Sequence, residues 1–132
     1  MLRRVTLLCV LCVFVMSCGP RKISDEATAY ASNIEFRNVR LTAAETYAKQ
    51  TIYYLRIDVH NKGQRAVREL QIMLYFRNAQ GELLMSHPAT AISPRLRALA
   101  PGETRDFRQG FDPPAGWNQT SPNIGITYLE ID

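Results

Sequence analysis

Thr51-Ile52-Tyr53-Tyr54-Leu55-Arg56-Ile57-Asp58-Val59-His60 is the stretch that decides the fold of this chain. Tyr53, Leu55, Ile57 and Val59 fall on one side, and Tyr54, Arg56, Asp58 and His60 on the other. Alternation with a period of two is the pattern of a strand with one buried face. Its β-branched and aromatic residues suit a pleated, half-buried surface. Asn61-Lys62-Gly63 is a turn signal. Val67 to Asn78 then alternates again, with Leu70, Ile72, Leu74 and Phe76 inward. Glu69, Gln71, Met73, Tyr75 and Arg77 point outward, and Asn78-Ala79-Gln80-Gly81 forms the next turn.

The same pattern continues on both sides. Asn33 to Leu41 reads as a strand whose alternation slips near Asn38, as a β-bulge would make it. Thr42 to Gln50 reads as a loop. Leu83 to His87 is a short strand ended by Pro88, and Thr90 to Leu99 a second one, confined to an edge by Pro94. Leu99-Ala100-Pro101-Gly102-Glu103 is a tight turn. Thr104 to Phe111 and Ile124 to Ile131 are the last strands, joined by a proline-rich loop, Asp112 to Pro122, that contains Trp117. Short alternating strands with turns between them predict an all-β fold, an antiparallel two-sheet sandwich of about seven strands over residues 32–132.

The chain starts differently. Arg3 and Arg4 precede a 12-residue apolar run, Val5 to Met16, broken only by Thr6. That is too short to span a bilayer and suits the apolar region of a signal peptide. A buried strand or a short uncleaved anchor is the competing reading. The run ends in Val15-Met16-Ser17-Cys18-Gly19, which resembles the lipobox of bacterial lipoproteins. The resemblance implies export, cleavage before Cys18 and acyl chains such as palmitate on that residue. With Gly19 rather than Asp after the cysteine, it implies the outer membrane, facing the periplasm, in a Gram-negative cell. The expected organisation is a signal peptide over 1–17, a flexible tether over 18–31 and a sandwich domain over 32–132. Thirteen extended tether residues would reach on the order of 45 Å.

Removing Arg3 and Arg4 from the 16 basic residues leaves 14 against 12 acidic ones, a net charge of +2. Scattered charges of both signs argue against a nucleic-acid partner. All three cysteines lie at or before position 18, so the expected domain has no disulfide. Cys9 and Cys12 have a C-x-x-C spacing but fall within the apolar run.

Asn61-Lys62-Gly63, Val67 to Asn78 with Leu74-Tyr75 at its centre, and Leu99-Ala100-Pro101-Gly102-Glu103-Thr104 together resemble the FxLYD-type domains of prokaryotic envelope proteins. Ile72 stands where the family's Phe is usual, and Phe76 where Asp is usual. The resemblance implies an immunoglobulin-like sandwich, often carried on a lipoprotein, and it brings no catalytic residues.

Catalytic candidates are sparse. Asp58 and His60 share one strand face, where a carboxylate can orient an imidazole for base catalysis, but no G-x-S-x-G nucleophile elbow exists. A solvated sheet face is the alternative account. His60 and His87, without thiols or clustered acids, make a poor metal set. Glu103, Asp106 and Asp112 are interleaved with Arg105 and Arg108, as in a charge-balanced exposed strand.

Three features suit binding. Arg95 and Arg97 flank Leu96 and would present guanidinium groups to an anion, or protect an edge by charge. Tyr54, Met73 and Tyr75 would form an outward aromatic patch or lie beneath a loop. Trp117 would plug the end of the core or stand exposed as an anchor. With seven strands, Lys62, Arg65 and Trp117 would gather at the tether end and face the membrane. The expected function is a non-catalytic binding or scaffolding module of the envelope. It would have no cofactor beyond the lipid on Cys18, and would contact the membrane and an envelope protein. The alternatives are an envelope hydrolase using Asp58 and His60, or a subunit of an export or pilus-type assembly.

Overall fold

The computed structural model describes residues 20–132. A short helix α1 (Asp25–Tyr30) and a 3-10 turn (Ala31–Asn33) lead into six strands. These are β1 (Ile34–Glu45), β2 (Thr51–Asn61), β3 (Val67–Arg77), β4 (Leu83–Ile92), β5 (Thr104–Phe111) and β6 (Asn123–Ile131). They form two antiparallel three-stranded sheets, ordered β1-β2-β5 and β4-β3-β6.

Alternation is what packs the sheets together. Leu55, Ile57 and Val59 of β2 are fully buried, as are Leu70, Ile72, Leu74 and Phe76 of β3. One inner face from each sheet makes an apolar sandwich core. The bulge falls where the alternation slips: the β1–β2 register shifts between Arg37 and Arg40, and Asn38 has φ 49. Asparagine tolerates that left-handed conformation better than most side chains.

The local predictions need four corrections. Six strands are described rather than about seven, because Leu83 to Leu99 holds one strand and then a turn. Pro88 lies inside β4 and does not end it. As an edge strand, β4 can leave proline's missing N–H on the unpaired side. Thr42 to Glu45 continues β1, and the residues up to Gln50 close a hairpin in which Thr46 N–H donates to Gln50 O. Residues 20–31, expected as flexible tether, are attached to the fold. Ala27 and Tyr30 of α1 are buried, and Ser24 caps the helix by accepting from Ala27 N–H.

Asn61, wholly buried, joins these parts. Its Nδ2 donates to the carbonyls of Arg65 (2.7 Å) and Leu99 (3.2 Å). Its Oδ1 lies 2.7 Å from the Tyr30 hydroxyl and accepts from Gly63 N–H at 3.2 Å. The Tyr30 hydroxyl also lies 2.8 Å from Arg65 O and accepts from Arg65 N–H. Tyr30 passes so close to the turn that a Cβ at Gly63 would collide with its ring. The Asn61 backbone pairs with Glu103 O and Gly102 N–H. Gly102, at φ 76, takes the conformation its turn requires.

Aromatic rings fill the other end of the sandwich. Trp117 meets Tyr53, Phe76 and Phe111 edge-on, with ring centres 5.2–5.8 Å apart. It is 8% exposed, so the plug reading describes it, and it bridges to Asn78 just beyond β3.

Two substitutions measure these contributions. Leu74→Ala should lower unfolding stability by about 2–5 kcal/mol, the usual cost of a core cavity. Asn61→Ala should cost about 2–4 kcal/mol, because it strands several buried polar groups at once. Chemical denaturation of both variants checks the pair. A loss at Asn61 no larger than that of an exposed substitution would show that the buried network is not needed.

Candidate functional site

The outer face of the β1-β2-β5 sheet is built of charge. Arg40, Arg56 and Arg108 share one register row across its three strands. Like charges directly opposite one another destabilise a sheet. Here acids in the adjoining row answer two of them: Arg56 pairs with Asp106 at 3.0 Å, and Arg40 approaches Asp58 at 3.9 Å. The Arg108 guanidinium instead lies over the Tyr54 ring, 4.0 Å from its centre. This row was not visible in the sequence, since its members are 16 and 52 positions apart and only strand register aligns them.

Asp58 and His60 lie on that same face, each with its own partner. Asp58 accepts from Asn38 Nδ2 at 2.8 Å, while His60 Nδ1 lies 2.8 Å from Thr104 Oγ1. Both bonds are solvent-exposed, and the residues do not form a hydrogen-bonded dyad. His87 is in the other sheet, opposite Leu74. Among the described residues, no group of three or more His, Cys, Asp or Glu is placed to hold a metal ion.

The expected aromatic patch is divided. Tyr54 belongs to β2, and Met73 and Tyr75 to β3 in the opposite sheet, all on outer faces. They therefore point away from each other. The Tyr75 ring lies over Gly125, where an added Cβ would come within 3.1 Å of it. The grouping of Lys62, Arg65 and Trp117 also fails. Lys62 and Arg65 precede β3, whereas Trp117 sits beyond its other end, because one strand rather than two separates Leu83 from Leu99. Lys62 pairs with Glu35 at 3.3 Å and Arg65 with Glu26. Cys18 and its neighbour Gly19 lie outside the described residues.

Around Asn61, the polar end is ordered by Glu103. Arg97 grips this carboxylate with both terminal nitrogens, at 2.9 and 3.0 Å, and Arg105 adds a contact at 2.9 Å. Ala100 N–H donates to it at 2.9 Å. Arg105 also donates to the carbonyls of Arg97 and Ala98, fixing the chain before β5. Arg97 is thus committed to Glu103. Arg95 is exposed, with no side-chain hydrogen bond or ion pair among the described residues, and Leu96 beside it is 70% exposed. Arg68, Pro94, Leu96, Ala98 and Asp132 line a hollow of about 300 Å³.

The Ala100 N–H, followed by Arg97 and Arg105, lowers the Glu103 pKa from 4.5 to about 2, against the opposing effect of partial burial. No family model matches the chain, and neither does any curated protein or solved structure. The class of protein defined here is therefore architectural: a two-sheet antiparallel β-sandwich.

Glu103 gives a test in pH. A carboxylate held below its ordinary pKa stabilises the fold above that pKa and loses this contribution as the carboxylate protonates. Stability should fall as the pH drops from 4.5 toward 2. Glu103→Gln should lower stability at neutral pH by roughly 1–3 kcal/mol and flatten that acid limb. Unfolding curves at several pH values read both effects.

Proposed function

We infer that this chain is an exported lipoprotein of the cell envelope, anchored through Cys18, whose sandwich binds or scaffolds another envelope protein without catalysis. The outer membrane, facing the periplasm, is its place in a Gram-negative cell. The observation that carries the non-catalytic reading is the separation of Asp58 and His60, each held by a different partner on an open sheet face. The hydrolase reading would need the two to act together.

An immunoglobulin-like relationship is part of the same proposal. In such domains the second strand pairs with the first and the fifth, and the third lies in the opposite sheet beside the sixth. The order β1-β2-β5 against β4-β3-β6 supports that reading, with β4 as the added strand beside β3. The FxLYD resemblance is consistent with it.

Cys18→Ser should leave the protein as unprocessed precursor or move it out of the membrane fraction, and abolish palmitate incorporation. Normal processing and membrane retention of this variant would overturn the lipoprotein assignment. Cross-linking in cells followed by purification of the lipidated protein should recover a specific envelope partner. Recovery should be unchanged by Asp58→Asn and His60→Ala together, and its loss would favour the hydrolase.

A further inference from the structure

Arg21 is where the folded unit takes hold of the incoming chain. Its guanidinium pairs at 2.6 Å with Glu69 of β3, a side chain only 4% exposed, and lies 4.0 Å from the centre of the Tyr128 ring. Only Gly19 and Pro20 separate Arg21 from Cys18. Three Cα-to-Cα steps span at most about 11 Å. An acyl anchor on Cys18 would therefore hold the domain against the bilayer, with the Asn61 end down, in place of the long leash that residues 18–31 suggest.

One exposed apolar element lies at that end. Arg68, next to Glu69, lines the hollow that contains Leu96. Leu96 closes a turn by donating its N–H to Ser93 O, and Arg95 and Arg97 flank it. Among the described residues, the other exposed large apolar ones are Tyr47, Leu83 and Leu84. Leu83 and Leu84 begin β4 at the Trp117 end, and Tyr47 tips the β1–β2 hairpin. Charge alone would not hold this surface to a membrane. Lys62, Arg65, Arg68 and Arg97 are paired with Glu35, Glu26, Asp132 and Glu103. Arg95 can still reach a lipid phosphate, while Leu96 offers apolar surface to the acyl boundary.

We propose that the 93–98 turn is a membrane-contact element that seats the Asn61 end of the sandwich on a phospholipid bilayer. Leu96 enters the headgroup–acyl boundary and Arg95 binds lipid phosphate. The inference rests on acylation of Cys18, which fixes the distance. Its occupant is the bilayer itself, so the partner-binding surface lies elsewhere, on the sheet faces or the Trp117 end.

The mature chain has no thiol apart from Cys18, so Leu96→Cys and Tyr47→Cys each accept a single environment-sensitive fluorophore. Full-length protein extracted from membranes is labelled and reconstituted into phosphatidylethanolamine–phosphatidylglycerol vesicles, with the acyl state of Cys18 read by mass spectrometry. The Leu96→Cys label should shift to the blue and be quenched severalfold more by doxyl lipids than the Tyr47→Cys label. Arg95→Glu should reduce that quenching. With Cys18 acylated, a Leu96→Cys label as open to aqueous iodide as the Tyr47→Cys label would overturn the proposal and leave the lipoprotein assignment standing. Protein without acyl chains would overturn both.

Discussion

The buried amide of Asn61 is the constraint on which the rest of the structure depends. A primary amide has two donors and one acceptor oxygen, and here they meet the Arg65 and Leu99 carbonyls, the Tyr30 hydroxyl and Gly63 N–H. The partners come from three parts of the chain: α1, the turn that holds Gly63 and Arg65, and the segment leading to β5. A buried polar group without partners is costly, so these three parts and Asn61 hold position together or lose the network together. Its backbone joins the same site to the Pro101-Gly102 turn, and Glu103 then carries the order outward to Arg97 and Arg105.

The two ends of the sandwich are closed by opposite chemistry. At one end, directional hydrogen bonds fix the chain crossing. At the other, Trp117, Tyr53, Phe76 and Phe111 fill the space between the sheets with edge-on rings. Edge-to-face packing satisfies the quadrupoles of aromatic rings and excludes water without needing exact donors. Trp117 Nε1 is buried there without a hydrogen-bond partner among the described residues, while its ring meets three others.

Strands were legible in the sequence where burial is one-sided. Leu55, Ile57 and Val59, and Leu70 through Phe76, alternate strictly because a period of two is the only way to present one face to a core. The slip at Asn38 was legible for the same reason. Asn61 was visible as a turn residue, but not as a buried network, because its partners are as many as 38 positions away. The docked α1 was hidden for a related reason. Tyr30 and Ala27 are its only buried residues, too few to mark a helical face. Pro88 misled because a proline ends a central strand but is tolerated at an edge, and strand order is not written in local sequence. That missing order also displaced Trp117 from one end to the other, and split Tyr54 from Met73 and Tyr75.

The arrangement of β2 and β5 also governs how fast the chain can fold. Arg56 meets Asp106 across 50 positions, and Tyr30 meets Asn61 across 31. Such closures require large segments to come together before any bond compensates, and topologies dominated by them fold slowly. The β1–β2 and β3–β4 hairpins form locally, but neither buries its apolar face until the two sheets pack, and the Asn61 amide waits for Tyr30 and Leu99. A newly made chain therefore stays open longer than a helical chain of equal length, with the apolar faces of its hairpins unpaired for that time.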